Sequence, residues 1–313
     1  MSIKGDIAIP FAHPVYVRGV LDCLNSRGVR PSEVLANAGL SWQALSDGQR
    51  MVDFSVFRRF VAQAIQSSGE PALGLMAGSM LQPYHSPVGI ATVSSDTLGQ
   101  ALRVLSRHAR LILRGLEFEV NDGARWSILK VKPVRPLVET HVFVMQSILG
   151  AYCRLLEAIL GRPTDELVVG LPYARPADND VPCLRYVRKV EIGEECLCFQ
   201  LPVELLRTPS IAADPRAFSE AAQACRKMES EIGSGDFVQQ VRHALLERLT
   251  RNPDVGELAV ELGISARTLV RRLAEVGATY SDIKDQLRKT HAAWYLKHTE
   301  LSMEAIASQL GYN

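Results

Sequence analysis

A repeat at the C-terminal end constrains the fold of this chain more than any other feature. Residues 255–265 read VGELAVELGIS, and residues 303–313 read MEAIASQLGYN, 48 positions later. In both copies a small residue precedes a glycine by four positions, as Ala259 precedes Gly263 and Ala307 precedes Gly311. Glycine readily adopts the positive φ that a tight interhelical turn needs. Each copy therefore predicts a helix followed by a turn, with Ser265 or Asn313 as the cap of the next helix.

The helix predicted after the first turn has a basic side. On an ideal helix Arg267, Val270 and Arg271 share one side, while Leu269 and Leu273 lie opposite. The leucines predict burial, so the basic side is expected to face outward. In a helix-turn-helix the second helix enters the DNA major groove. The predicted DNA-contacting residues are Ser265, Arg267, Thr268, Val270, Arg271 and Arg272.

Three further residues of this helix have distinct expected roles in DNA binding. Thr268 and Arg272 lie beside the basic side, where contacts to phosphates are expected. Val270 is suited to contact a thymine methyl group. Taken alone, such a cluster also fits a basic face that only meets solvent, but the turn and the repeat favour DNA.

Charge is concentrated locally. The whole chain has a formal net charge of only +1. Residues 264–298 contain three acidic residues, Glu275, Asp282 and Asp285, and more than twice as many basic ones. The basic residues are Arg267, Arg271, Arg272, Lys284, Arg288, Lys289 and Lys297. Attraction to DNA phosphates requires positive charge only where the protein docks.

The first two hundred residues predict an α+β domain. A turn at Asn121-Asp122-Gly123 between alternating apolar residues predicts a hairpin. Helical periodicity and capping residues predict helices at 14–26, 31–38, 53–67, 96–113 and 137–160, and short β-type runs predict strands at 166–171, 189–192 and 196–201. Cys196 and Cys198 are expected on one face of the last strand as small hydrophobic residues, with a redox or ligand role as the alternative. The expected sheet is small and largely antiparallel.

Residues 208–236 predict a linker and a coupling helix. The stretch 208–215, TPSIAADP, has linker composition. Phe218, Ala221, Cys225, Met228 and Ile232 then follow coiled-coil spacing, which fits either a dimer seam or packing within the domain. Residues 233–236, GSGD, predict a flexible joint. We therefore expect a regulatory domain at 1–207, the linker and coupling helix at 208–236, and a helix-turn-helix domain at 237–313.

Residues 237–313 resemble the DNA-binding domain of the AraC/XylS family of transcriptional regulators. The resemblance rests on ELAVELGISARTLVRRLAEVG, IKDQLRKTHAAWYL and LSMEAIASQLGY. It implies an all-α double helix-turn-helix domain whose units are joined by a long helix over 281–298. Because residue 313 is only the cap of a second recognition helix, we expect the second unit to be incomplete in this chain, truncated after Asn313.

The N-terminal region is similar to the arabinose-binding-type effector domain of the branch that includes arginine and ornithine regulators. The matching stretches are VRGVLDCLNSRGVRPSEVLANAGL, GEPALGLMAG and TLGQALRVLSRHARLI. The resemblance implies a ligand-responsive transcriptional regulator that binds operator DNA as a homodimer, with RNA polymerase as a further candidate partner. It does not identify the effector, the effector-binding residues or the sign of regulation. The alternative is a small-molecule-binding or interaction module whose DNA binding is defective because the second recognition helix is absent.

Other classes of protein are disfavoured. His85, His108 and His141 lie in separate segments, and His141 is expected to be a core histidine, so no catalytic set is expected. The spacing of the six cysteines gives neither a disulfide framework nor a metal motif. We expect no cofactor and no metal. With no signal sequence and no apolar run near the ~20 residues that span a bilayer, we expect a cytoplasmic protein.

Overall fold

The computed structural model describes residues 10–46, 51–174, 187–298 and 301–312. It divides into two compact units, Met1–Cys225 and Arg226–Asn313. The division falls inside the 208–236 segment that the sequence assigns to linker and coupling helix.

The N-terminal unit is a mixed α/β fold, and most of its elements lie where the sequence predicts them. Thr97 caps α7, because its hydroxyl accepts from the Gln100 amide at 3.3 Å. Its helices are α1 Pro14–Ser26, α2 Pro31–Ala38, α3 Trp42–Ser46, α4 Phe54–Ser68, α5 Leu73–Met80, α6 Pro87–Val93, α7 Leu98–His108 and α8 His141–Leu160. Its strands are β1 Pro10–Ala12, β2 Val52–Asp53, β3 Leu116–Asp122, β4 Trp126–Pro133, β5 Leu167–Leu171, β6 Val187–Ile192 and β7 Leu197–Pro202.

The main sheet has five strands in the order β3-β4-β7-β5-β6. The expected hairpin is β3–β4, but Asn121 and Asp122 still pair with Ile128 and Ser127, so the loop begins at Gly123. The expectation of an antiparallel sheet is correct for every pair except one, since β5 and β6 are parallel. A parallel pair needs a long connection that returns the chain to the same edge. Local sequence patterns do not reveal such a return.

The long apolar helix α8 forms the centre of the N-terminal core. It packs on α5, where a Cβ on Gly78 would lie only 2.1 Å from the carbonyl oxygen of Ser147. Contrary to the expectation that no segment is long and apolar enough to cross a membrane, Val138–Leu160 passes that test. Most of the apolar window of this segment is buried inside the unit.

Helix α9 corrects the expected joint at residues 233–236. It runs from Pro215 to Glu247 without a break in the helical backbone. A glycine costs a helix interior only about 1 kcal/mol relative to alanine, so two glycines do not by themselves end a helix. Of the residues at coiled-coil spacing, Ala221 and Cys225 are buried within the chain, which supports packing on the chain's own core. The side chain of Ile232 lies outside the described part of the molecule.

All the secondary-structure elements in the described part of the C-terminal unit are helices. After the end of α9 the unit contains α10 Val255–Glu261, α11 Ala266–Ala274, α12 Tyr280–His298 and α13 Met303–Gln309. One apolar cluster gathers Leu258, Leu269, Leu273 and Ile283. A second gathers Leu249, Ile306 and Leu310 with Tyr295 packed against them. Helix α12, about 28 Å long at 1.5 Å per residue, contributes to both clusters.

Candidate nucleic-acid interface

The two copies of the sequence repeat have the same backbone geometry. Helices α10 and α13 each have seven residues and begin after caps 48 positions apart, Asp254 and Ser302. The Ile264 amide donates to the Ala259 carbonyl at 3.0 Å, and the Tyr312 amide donates to the Ala307 carbonyl at 2.9 Å. This agreement confirms the predicted helix and turn in both copies. Asn313, the expected cap, lies outside the described residues.

The two turn glycines adopt the expected left-handed backbone, with φ of 66° at Gly263 and 71° at Gly311. Their surroundings differ. A Cβ on Gly263 would meet nothing within 4 Å, whereas one on Gly311 would lie 2.3 Å from the carbonyl oxygen of Leu249. Gly263 therefore serves only the turn, while Gly311 also permits a close approach between two backbone segments.

Helix α11 presents the side that the sequence predicts. Leu269 and Leu273 are fully buried, because they pack against α10 and α12 in the first apolar cluster. Arg267, Val270 and Arg271 are exposed on the other side, and about half of the Val270 side-chain surface is open to solvent. Capping fixes the start of this helix, since Ser265 Oγ accepts from the Thr268 amide at 3.1 Å.

The polar side chains among the six predicted DNA-contacting residues differ in the partners they have within the protein. The Arg267 side chain has no hydrogen-bond or ion-pair partner among the described residues. Arg271 lies 3.9 Å from the Glu275 carboxylate, an exposed contact that a phosphate or a base could replace. The Arg272 guanidinium lies over the Phe237 ring at 5.3 Å. The hydroxyls of Ser265 and Thr268 lie 2.8 Å apart and bond to each other.

Two of the seven basic residues of 264–298, Arg288 and Lys284, bind backbone carbonyls of the protein. Arg288 on α12 donates through Nε to the carbonyl of Leu310 at 3.0 Å and through Nη2 to Gly311 at 3.1 Å. Its guanidinium also lies 4.2 Å from the centre of the Tyr312 ring. Arg288 thus closes the C-terminal end of α13, where free carbonyls and the helix dipole favour a cation.

Lys284 and Tyr280 meet at one backbone carbonyl group just before α10. Lys284 Nζ donates to the carbonyl of Pro253 at 2.8 Å, and the Tyr280 hydroxyl donates to the same oxygen. Desolvation lowers the pKa of Lys284, and the nearby positive charge of Arg288 adds to the effect. Burial raises the pKa of Tyr280 to about 12. Neither this pair nor the role of Arg288 could be found from spacing, because their partners are distant backbone carbonyls.

The N-terminal unit holds an apolar cavity of about 130 Å³ between α1, α5, α6 and α8. Effector-binding residues could not be predicted from the sequence, because the wall of an apolar cavity has the same residue types as a hydrophobic core. Among the described residues, no group of three or more His, Cys, Asp or Glu side chains could hold a metal ion. Cys196 and Cys198 are buried with their sulfurs 3.5 Å apart, and burial raises the pKa of Cys198 to about 12.

Comparison with known proteins finds a family of transcription regulators for the N-terminal unit and related regulators along nearly the whole chain. Residues 28–210 match the model of the N-terminal arabinose-binding domain of AraC transcription regulators. The chain is 28% identical to the ornithine utilization regulator of Pseudomonas aeruginosa over 301 residues, which cover 95% of this chain and 88% of that protein.

Further relatives have the same kind of name. An uncharacterized HTH-type transcriptional regulator of Mycobacterium tuberculosis is 25% identical over 96% of this chain and 90% of its own length. The HTH-type transcriptional regulator VqsM of Pseudomonas aeruginosa is 24% identical over 79% of this chain and 78% of its own length. Among solved structures, the transcriptional regulator CdpR of Pseudomonas aeruginosa matches with a TM-score of 0.49 and 21% identity, over 100% of this chain and 92% of that one.

Proposed function

This chain belongs to the AraC family of transcription regulators with an N-terminal arabinose-binding domain, and we propose that it binds operator DNA by placing α11 in the major groove. It is a ligand-responsive, DNA-binding regulator of transcription. One observation carries the proposal for α11. A capped helix follows a tight glycine turn and has leucines fully buried on one side and Arg267, Val270 and Arg271 exposed on the other.

The exposed side chains are suited to different parts of the DNA. An arginine can donate two hydrogen bonds to O6 and N7 of guanine. Arg267 and Arg271 lie one helical turn apart, so we assign them to base edges within one groove segment. Val270 lies between them and is suited to a thymine methyl. Arg272, Thr268 and Ser265 lie at the flank and at the helix start, where contacts to phosphates fit best.

The proposal also includes the partners of the protein and its cellular compartment. Double-stranded operator DNA and a small-molecule effector follow from the family. We propose in addition that the chain acts as a homodimer, since operator half-sites are commonly paired. RNA polymerase is a candidate partner at promoters. The cytoplasm is the proposed compartment, because the relatives are bacterial regulators of transcription.

A selection from randomised duplexes with the full chain would supply a preferred site for quantitative tests. Arg271→Ala should reduce the preference for that site over a scrambled duplex by about 1–3 kcal/mol. Arg272→Ala should weaken binding to both duplexes alike, because phosphates carry no sequence information. Arg216→Ala is a charge-matched control, since Arg216 is an exposed residue of the N-terminal unit that pairs with Glu220.

The outcome is decided by the ratio of the two affinities. If Arg271→Ala weakens binding to the selected and scrambled duplexes equally, Arg271 does not contact bases and the assignment is wrong. If Arg216→Ala has the same effect as Arg272→Ala, long-range charge accounts for the loss and the flank assignment is wrong.

A further inference from the structure

The cavity of the N-terminal unit has a wall without charged side chains. Most of its lining comes from α1, α5, α6 and α8 and from the β3–β4 hairpin, and all of it lies within residues 15–155. No Asp, Glu, Lys or Arg is among the described residues that line it. His85 is exposed and lies on the short turn between α5 and α6. An ammonium or carboxylate group placed against this wall would lose hydration without gaining an opposite charge, which is unfavourable.

Most polar groups in the wall already have partners. The Thr92 hydroxyl donates to the Val88 carbonyl at 2.7 Å, and the Ser147 hydroxyl donates to the Phe143 carbonyl at 2.9 Å. Ser86 accepts from the Gly89 amide as the cap of α6. These groups need no ligand, so the wall behaves largely as an apolar surface.

The buried hydroxyl of Tyr152, by contrast, has no hydrogen-bond partner in the described parts of the chain. Only 3% of the residue is exposed. Its ring packs on Phe199 with the ring centres 4.0 Å apart, which fixes the ring between the sheet and the cavity. Burial raises its pKa, so the hydroxyl stays protonated and able to donate at neutral pH. Buried hydroxyls without partners are rare in native proteins and invite explanation.

The size of the cavity limits the ligand. An apolar cavity of similar volume in another protein accepts benzene. The space at Tyr152 therefore suits a molecule with about one ring or a short branched chain.

We propose that this cavity is the effector site and that it binds a compact, uncharged and largely apolar molecule whose hydrogen-bond acceptor pairs with the Tyr152 hydroxyl. The proposal rests on the proposed function, in which the N-terminal unit responds to a small molecule. It predicts that an amino acid such as ornithine, with its ammonium groups and carboxylate, does not bind in this cavity.

Cyclohexanone and methylcyclohexane test the proposal as probes of equal size, with and without an acceptor. With the full chain, cyclohexanone should raise the melting temperature in a saturable way, and ornithine should not. Tyr152→Phe should weaken cyclohexanone binding about fivefold to tenfold, as expected for one neutral hydrogen bond. The same variant should leave methylcyclohexane affinity unchanged and should leave the free protein at least as stable, because it removes a buried hydroxyl without a partner.

Two further variants control for fold and position. Tyr173→Phe changes a buried tyrosine that is not part of the cavity wall, and it should leave cyclohexanone affinity unchanged. Ala151→Leu fills part of the cavity, and it should abolish binding while the circular dichroism spectrum remains native.

The proposal is overturned if the full chain shows no saturable stabilisation by cyclohexanone, if ornithine stabilises it more, or if Tyr152→Phe binds cyclohexanone as well as the parent chain. The Arg271→Ala measurement on ligand-free protein tests DNA recognition separately. Intact DNA recognition together with ornithine binding would mean that the ligand class is wrong while the regulatory function stands. Loss of the base preference assigned to α11 would instead contradict the proposed function and leave the cavity result unaffected.

Discussion

Some charged residues of the C-terminal unit stabilise its fold, although their charge alone would suggest contacts to DNA. Arg288 is half-buried and donates to Leu310 and Gly311 carbonyls and to the Asn252 side chain. Its guanidinium has a planar fork of donors that a lysine ammonium lacks. Residue type therefore does not separate a phosphate-binding arginine from one that closes a helix end.

We predict that Arg288→Ala lowers the stability of the C-terminal unit by about 2 kcal/mol, as expected for hydrogen bonds from a charged group. Arg288→Lys should recover only part of the loss. Hydrogen exchange of the α13 amides in the full chain measures this local stability. Lys289→Ala, at the exposed neighbouring position, is the control, and equal protection of α13 in both alanine variants would show that Arg288 has no structural role.

The two turn glycines give a second prediction at this scale. Gly263→Ala should cost about 1 kcal/mol, because alanine adopts the left-handed backbone with modest strain and nothing lies near its Cβ. Gly311→Ala should cost about 3 kcal/mol or more, because its Cβ would also meet the Leu249 carbonyl. Urea denaturation of both variants gives the comparison. Equal costs would contradict the close approach at Gly311.

At the scale of whole elements, helix α5 depends on small residues where it meets α8. Gly78→Ala would place a Cβ against the Ser147 carbonyl, a backbone atom that cannot rotate away. We expect this variant to lose about 1–3 kcal/mol of stability, as overpacked cores do. Ser79→Ala is the matched control on the same helix, since its hydroxyl bonds only to the Met76 carbonyl one turn earlier. Thermal unfolding should show a lower midpoint for Gly78→Ala alone.

Elements that depend on local patterns were predictable from the sequence, and those that depend on distant contacts were not. Helix α1 and the β3–β4 hairpin have periodic apolar residues and turn residues within a short window, so their approximate positions followed from the sequence. Helix α5, LGLMAGSM, has no polar side from which to read a period, and it was not predicted. The parallel pairing of β6 and the continuity of α9 through residues 233–236 are likewise set outside the local sequence.

The candidate site shows the same limit. The sequence placed Arg267, Val270 and Arg271 on one side of a helix, because helical geometry alone decides that arrangement. It could not separate them from Lys284 and Arg288, whose carbonyl partners lie 31 and 22 positions away in the sequence. Nor could it distinguish Tyr152 from a core tyrosine, since only the three-dimensional packing leaves its hydroxyl without a partner.

At the scale of the whole molecule, the distribution of charge determines how DNA binding depends on salt. The net charge of +1 gives little long-range attraction, so affinity must come from cations at the interface. Among the described side chains of residues 264–298, Arg267, Arg271, Arg272 and Lys289 are exposed, whereas Lys284 and Arg288 are held by carbonyls. If each of these four cations displaces about one counterion from the DNA, whether it bonds to a phosphate or to a base in the groove, the slope of log affinity against log salt is about −3.6, compared with about −6.3 for all seven basic residues of this region.

We therefore predict a slope near −3.6 per bound chain, measured by titrating the full chain onto its selected duplex at several salt concentrations. Arg267→Ala should reduce the magnitude of the slope by about 0.9, because one cation in the groove no longer displaces a counterion from the DNA. Arg288→Ala should weaken the fold of the C-terminal unit without changing the slope, since that cation is engaged inside the protein. An equal change in slope for the two variants would mean that Arg288 turns toward DNA when the protein binds, and a slope near −6.3 would mean that all seven basic residues of this region engage the DNA. Which basic residues stabilise the fold and which contact DNA would then have to be determined in the DNA-bound protein.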